Sequence, residues 1–157
     1  MASMKVFMKI ADIPGSSSDK DHKDWCDVRG FSHEMKYPFD MRENKGRGEP
    51  THGEFQVMKE LDKASPKLYE ALAKKKKVKE VEFEFWRDNP KDGGSEKYFS
   101  IKLKDCRVVS ARPFMPHENA EVFSHLDQIG FAYKIIEWTW ISGGQVPTTF
   151  DFSSPDA

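Results

Sequence analysis

The side chains able to do chemistry are few and scattered. The chain has five histidines (His22, His33, His52, His117 and His125) and two cysteines, Cys26 and Cys106. His22 stands among Asp19, Asp21 and Asp24, a set of ligand types that can hold a metal ion. The favoured reading is a solvated polar loop, because GSSSDKDHKD (Gly15 to Asp24) is polar throughout. His33-Glu34 is not followed by a second histidine at the spacing of a zinc-protease helix. No Gly-x-Ser-x-Gly elbow occurs, and no Ser/His/Asp or Cys/His set has a recognisable local context. NKGRGEPTHG (Asn44 to Gly53) holds glycines but lacks the strand-to-helix setting that cradles phosphate. Two cysteines without a C-x-x-C make no disulfide framework. They read as small, buried, reduced hydrophobes, and a Cys26–Cys106 bridge stays open because geometry alone decides it. These residues point away from an enzyme and toward binding or assembly, with no cofactor and no metal.

Composition narrows the class further. A length of 157 residues makes one domain, 1–157, the default. The chain is 38% hydrophobic and 32% charged, with a formal net charge of −1. Such a balance recommends neither nucleic acid nor an acidic ligand as partner. The run Lys74 to Lys77 reads as a solvated face. No apolar run approaches the roughly 18–20 residues that span a bilayer, so no membrane partner is expected. MASMKVFMKIADI alternates from Val6 onward and lacks a cleavable signal pattern. Synthesis in the cytoplasm is expected, with any export by a route that reads no N-terminal signal.

The elements that must position these residues are mostly strands. Ser65 to Lys77, SPKLYEALAKKKK, is the one convincing helix. Ser65 suits an N-cap and Pro66 the first helical position. Leu68, Ala71 and Leu72 make a narrow apolar stripe, so the helix is expected to dock through Leu68 and Leu72. Lys74 to Lys77 suit the negative end of its dipole. Strands are expected at Lys5–Ile13, Trp25–Met35, Glu54–Glu60, Val78–Arg87 and Lys97–Asp105, with Cys106–Ala111 continuing or restarting the last. Val81, Phe83 and Phe85 face Phe99, Ile101 and Leu103 in a hairpin whose outer rows are acidic on one strand and basic on the other. Lys36 to Gly53 reads as a long extended loop of functional or interaction type, with Pro113 to Asn119 a further loop. In Leu126 to Ile141 the apolar parity changes at Ile135–Ile136, which suggests a bulge or a strand passing between sheets. Thr148 to Phe152 is a short last strand. About eight strands and one helix suit a mainly β sandwich or small barrel.

Four segments in register resemble one family. GSSSDKDHKDW (Gly15 to Trp25), LDKASPKLYEAL (Leu61 to Leu72), YFSIKLKDCRVVS (Tyr98 to Ser110) and IEWTW (Ile136 to Trp140) resemble, in order and spacing, the motifs of Hcp proteins, the tube subunits of type VI secretion. The likeness runs from about Lys5 to Phe152. The chain departs at MRENKGRGEPTH, in one extra residue of IIEWTW, and in SARPFMPHENAEVFSH.

The resemblance implies a two-sheet β-barrel with one flanking helix, similar to phage tail tube proteins. It implies a homohexameric ring, rings stacked into a tube, a contractile sheath and a VgrG-like spike as partners, and effectors carried in the lumen during secretion. Ser32 matches the family's lumen-facing serine, followed here by His33. Strand parity puts Ser32 with Cys26, Val28 and Gly30, and His33 with Phe31 and Met35, so Ser32 is preferred as the cargo contact. The loop 36–53, with Asp40, Arg42, Glu43, Lys45, Arg47 and Glu49, is expected to serve assembly. The alternative from composition alone is a monomeric β-sandwich module that binds a ligand or carbohydrate.

Overall fold

The computed structural model describes residues 4–116 and 125–154. His117, and the part of the expected loop beyond Pro116, lie outside them. The strands are β1 (Lys5–Ile10), β2 (Cys26–Ser32), β3 (Met35–Lys36), β4 (Phe39–Asp40), β5 (Lys45–Gly46), β6 (Thr51–His52) and β7 (Phe55–Glu60). After α1 (Ser65–Ala73) come β8 (Lys77–Asp88), β9 (Ser95–Phe114), β10 (Leu126–Ala132), β11 (Ile135–Trp140) and β12 (Val146–Asp151). The largest sheet has eight strands in the order β10-β7-β2-β1-β8-β9-β11-β12, and β10 also pairs with β9. That extra pairing curls the sheet shut, so the barrel's hydrogen bonding runs through one continuous sheet. The β11–β12 pair extends from it.

Alternation explains the β8–β9 hairpin. Val81 lies opposite Leu103, Phe83 opposite Ile101 and Phe85 opposite Phe99 on the inner face. Glu80 lies opposite Lys104 and Glu82 opposite Lys102 on the outer face, the favourable arrangement expected of facing rows of opposite sign. Met8, Phe55, Val57, Ile129, Phe131 and Ile136 complete a buried core. β9 is one 20-residue strand, which continues past Cys106 and through Pro113 to Phe114. The phase change expected at Ile135–Ile136 is resolved a few residues earlier. A register shift falls between Gly130 and Phe131, and Tyr133-Lys134 separate β10 from β11. Both strands run along β9, but β10 turns its other edge to β7 and β11 to β12.

The helix is shorter than the sequence pattern suggests. It ends at Ala73, and the lysines that follow form a turn. Lys75 is left-handed (φ 56°), its N–H bonds the Leu72 carbonyl, and the Lys76 N–H bonds the Ala71 carbonyl. That pair of bonds is a Schellman stop. Lys77 already belongs to β8, so the basic run does not form the last helical turn. Ser65 is not the N-cap either. Ala64 occupies that position, while Ser65 is helical and turns its hydroxyl into the protein interior. Leu68 is fully buried, Ala71 is buried, and Leu72 is half-buried against the core. α1 lies against β9. Among the described residues no helix is long and apolar enough to cross a membrane.

Cys26 and Cys106 are both buried and free, and burial pushes both thiols up to about 12.

Candidate assembly surfaces

β2 ends on Ser32, the preferred cargo contact, with His33 just beyond it, and a bulge in β2 decides where Ser32 points. Val28 pairs with Lys59, but Gly30 pairs with Met58, so the register slips at Arg29. A one-residue slip exchanges the faces of everything beyond it. Phe31 then lies opposite Val57 on the core side and packs on Phe55, with ring centroids 5.9 Å apart. Ser32 lies opposite Gln56 on the outer side and is exposed. Ser32 therefore shares a face with Gly30 but not with Cys26 and Val28, whereas simple alternation groups all four.

That outer face is polar and balanced in charge. Arg112 Nη2 donates to Gln128 Oε1 (3.3 Å), and Gln128 Nε2 donates to Gln56 Oε1 (3.1 Å). Gln56 Nε2 and Ser110 Oγ each donate to Glu54 Oε1 (2.8 Å). A shallow groove of about 210 Å³ runs beside Ser32 between Gly30, Gln56, Met58 and Gln128. His33 is not on this face. It is half-buried, and its Nε2 lies 2.8 Å from the Tyr133 hydroxyl. His52 Nδ1 lies 2.5 Å from the same oxygen. Burial holds both imidazoles below the usual value, and for His33 the neighbouring His52 adds to this.

The segment expected as an extended loop is a hairpin arm. β3 pairs with β6, and β4 with β5, so residues 35–52 form two short ladders around a turn. The turn is built locally. Asp40 Oδ1 accepts the N–H groups of Arg42 and Glu43, and Asn44 takes the left-handed conformation (φ 52°). Arg47 Nη2 donates to Asp40 Oδ2 (2.8 Å) and Glu43 Oε2 (2.9 Å). The Arg47 contact and the backbone bonds to Asp40 hold its carboxyl below the usual carboxylate range. Of the six expected assembly residues, Asp40, Glu43 and Arg47 thus bind each other, while Arg42, Lys45 and Glu49 are exposed. Composition did not reveal the arm's apolar row. Met35, Tyr37, Phe39 and Met41 recur every second residue and are all exposed, Met41 to 84%. Between the arm and β11–β12 lies an apolar groove of about 430 Å³, lined by Met35, Tyr37, Pro50, Trp138 and Phe150.

The loop around His22 is largely exposed, but His22 itself turns inward. It is buried, stacked on Phe7 (3.9 Å between centroids), with Nδ1 on Asp19 (2.9 Å) and Nε2 on Glu84 (2.7 Å). Burial alone would lower its pKa, but the two carboxylates outweigh that and raise it. Asp21 and Asp24 take no part; Asp24 instead pairs with Lys63 (2.8 Å). Gly15 admits no side chain, because a Cβ there would stand 2.6 Å from Cys26 Sγ. No group of three or more His, Cys, Asp or Glu side chains placed for a metal occurs among the described residues.

One cluster escaped the sequence reading. Lys59 and Asp127 are both fully buried. Lys59 Nζ donates to Asp62 Oδ1 (2.9 Å), Ser65 Oγ (2.9 Å) and Asp127 Oδ2 (3.3 Å). Tyr69 donates to the other oxygen of Asp127 (2.5 Å). The signal was parity: Lys59 follows Phe55 and Val57 on the inner face of β7, and Asp127 precedes Ile129 and Phe131 on that of β10.

Comparison with known proteins places this geometry. The family described as "Type VI secretion system effector, Hcp" matches residues 7–140. The "Major exported protein" of Pseudomonas aeruginosa is 32% identical over 132 residues, 82% of this chain and 76% of that protein. The solved structure of the Hcp1 protein from E. coli EAEC 042 is 28% identical with a TM-score of 0.80, covering 95% of this chain and 97% of that one. Hcp1 from Salmonella typhimurium shares the fold at 18% identity, with a TM-score of 0.80 over 99% of both chains.

Proposed function

The chain belongs to the Hcp family of type VI secretion proteins, and from that premise we propose that it is a structural subunit of the secretion tube. Six copies close a ring, rings stack into a hollow tube, and the tube leaves the cell without a signal peptide, carrying effectors in its lumen. Its partners are other copies of itself, those effectors, the contractile sheath and a VgrG-like spike. It is not an enzyme.

The observation that carries this reading is the arm. A hairpin with Met35, Tyr37, Phe39 and Met41 exposed along one row is costly in an isolated subunit and favourable once another surface covers it. An arm that fits a different patch on the next copy is a heterologous contact, which closes into rings or propagates as filaments. The face around Ser32 supports the second half of the proposal. It is polar, and its acids and bases, Glu54 with Arg112 and Glu60 with Arg29, offset each other, so many weak contacts can hold varied cargo reversibly. Asp40, Arg42, Glu43, Lys45, Arg47 and Glu49 set the register between surfaces, and Ser32 meets cargo.

Export tests the proposal. In a bacterium with an active type VI system, the protein is expected in the culture medium, and it is expected to remain inside cells when the sheath is deleted. Equal release with and without the sheath would refute it.

A further inference from the structure

The root of the arm holds a cluster that assembly does not explain. The Tyr133 hydroxyl lies 2.5 Å from His52 Nδ1 and 2.8 Å from His33 Nε2. A phenol has one proton to donate, so one imidazole accepts it and the other must donate an N–H to the same oxygen. Two ring nitrogens and a phenol oxygen thus converge on one small volume. The three donors come from the β2–β3 link, from β6 and from the β10–β11 joint. Packing fixes the orientation of both imidazoles. His52 stacks on Phe150 at 5.0 Å and meets the Phe152 edge at 4.8 Å, while His33 packs on Phe55 at 5.1 Å.

We propose that His33, His52 and Tyr133 form a binding site for a divalent transition-metal ion that favours imidazole, zinc(II) or copper(II). Imidazole nitrogens bind such ions at about 2.0–2.1 Å, so tetrahedral neighbours stand roughly 3.3 Å apart. The phenol oxygen is closer than that to each imidazole nitrogen, at 2.5 and 2.8 Å, and has to withdraw by about 0.5–0.8 Å to admit the ion between them. A cavity of about 110 Å³ beside His52, Glu54, Tyr133 and Phe152 gives room for that movement and for a water to fill the fourth position. The ion replaces the phenol proton, which leaves to solvent. The imidazole that had donated its N–H carries that proton on its other ring nitrogen instead. No electron changes hands. The bound ion staples both strands of the arm's root to the barrel, and this holds whether or not rings form.

Calorimetric titration of the untagged protein with zinc(II), and separately with copper(II), tests the site. The expected result is one ion per chain, release of a proton, and a raised melting temperature. The copper complex should show a phenolate-to-metal absorption band. Tyr133→Phe keeps the ring packing and should remove that band and weaken binding by about tenfold or more. His33→Gln and His52→Gln should each abolish binding while the circular dichroism spectrum stays native. Failure of the wild-type protein to bind either ion would overturn the proposal. So would binding that His33→Gln and His52→Gln leave unchanged, which would place the ion on another histidine.

Discussion

The hydroxyl of Ser65 donates to Oδ2 of Asp127 across 2.6 Å, which ties the first residue of α1 to the strand that closes the barrel. Lys59 completes the tie from β7, and neither Lys59 nor Asp127 touches solvent. Removing one charge strands the other in the interior. Asp127→Ala should therefore cost about 3–5 kcal/mol, measured by denaturant unfolding. Replacing Lys59 and Asp127 together by apolar residues of similar volume should cost less than Asp127→Ala alone. An Asp127→Ala protein as stable as the wild type would show that the pair does not hold the helix.

The apolar stripe of α1 divides its load unevenly. Leu68 is fully buried and Leu72 only in part. Leu68→Ala should cost roughly 2–5 kcal/mol, with Leu72→Ala at or below the low end of that range. Equal melting temperatures for the two variants would count against this division.

Stability should carry a signature of His22 with a definite sign. Its folded pKa lies above 6.5, so its contribution is complete below that value and fades as pH rises through the folded pKa. Its partners are shifted the other way. The His22 hydrogen bond lowers Asp19 from 3.8, and Glu84 falls below 4.5 because bonds from His22 and Trp86 outweigh burial. Their contribution is complete above those values and is lost in stronger acid. The stability difference between the wild type and His22→Gln should therefore be largest near about pH 5.5 and shrink by about pH 9. A difference that grows toward alkaline pH would contradict the assignment.

How much of this was legible in sequence depended on whether a pattern was local. The outer rows of Glu80, Glu82, Lys102 and Lys104 announced their hairpin, because strict alternation needs only strand geometry. Ser65-Pro66 marked the helix start within one residue, but its stop depended on Lys75 adopting a conformation that glycine usually supplies. The arm read as loop because each of its strands is two residues long, too short for periodicity to register. The face of Ser32 hinged on a bulge at Arg29, and a bulge is set by the partner strand. The Lys59–Asp127 pair joins residues 68 apart, so only their inward parity hinted at it.

The arm's basic side chains should matter to assembly more than to folding. Replacing Arg42, Lys45 and Arg47 with alanine is expected to leave the subunit folded and its rings intact, and to impair stacking or export. Arg47 also braces the turn through Asp40 and Glu43, so Arg47→Ala alone should loosen the arm more than Arg42→Ala. Exposed pairs of this kind contribute at most about 1 kcal/mol. Loss of the folded state in the triple variant would mean that the arm serves the fold.

Ser32 lends itself to a test of cargo contact. Ser32→Gln adds bulk beside the groove of Gly30, Met58 and Gln128 without adding charge. Rings of this variant should form normally and fail to retain a bound effector in a pull-down. Unchanged retention would place cargo recognition elsewhere.

Ring formation is the claim on which the rest depends, and the mass of the particle in solution tests it most directly. Light scattering on the purified protein across micromolar concentrations should give a mass six times the chain's 18.1 kDa, with annular particles in electron micrographs. A mass of 18.1 kDa throughout that range would contradict the tube assignment and favour a monomeric binding module.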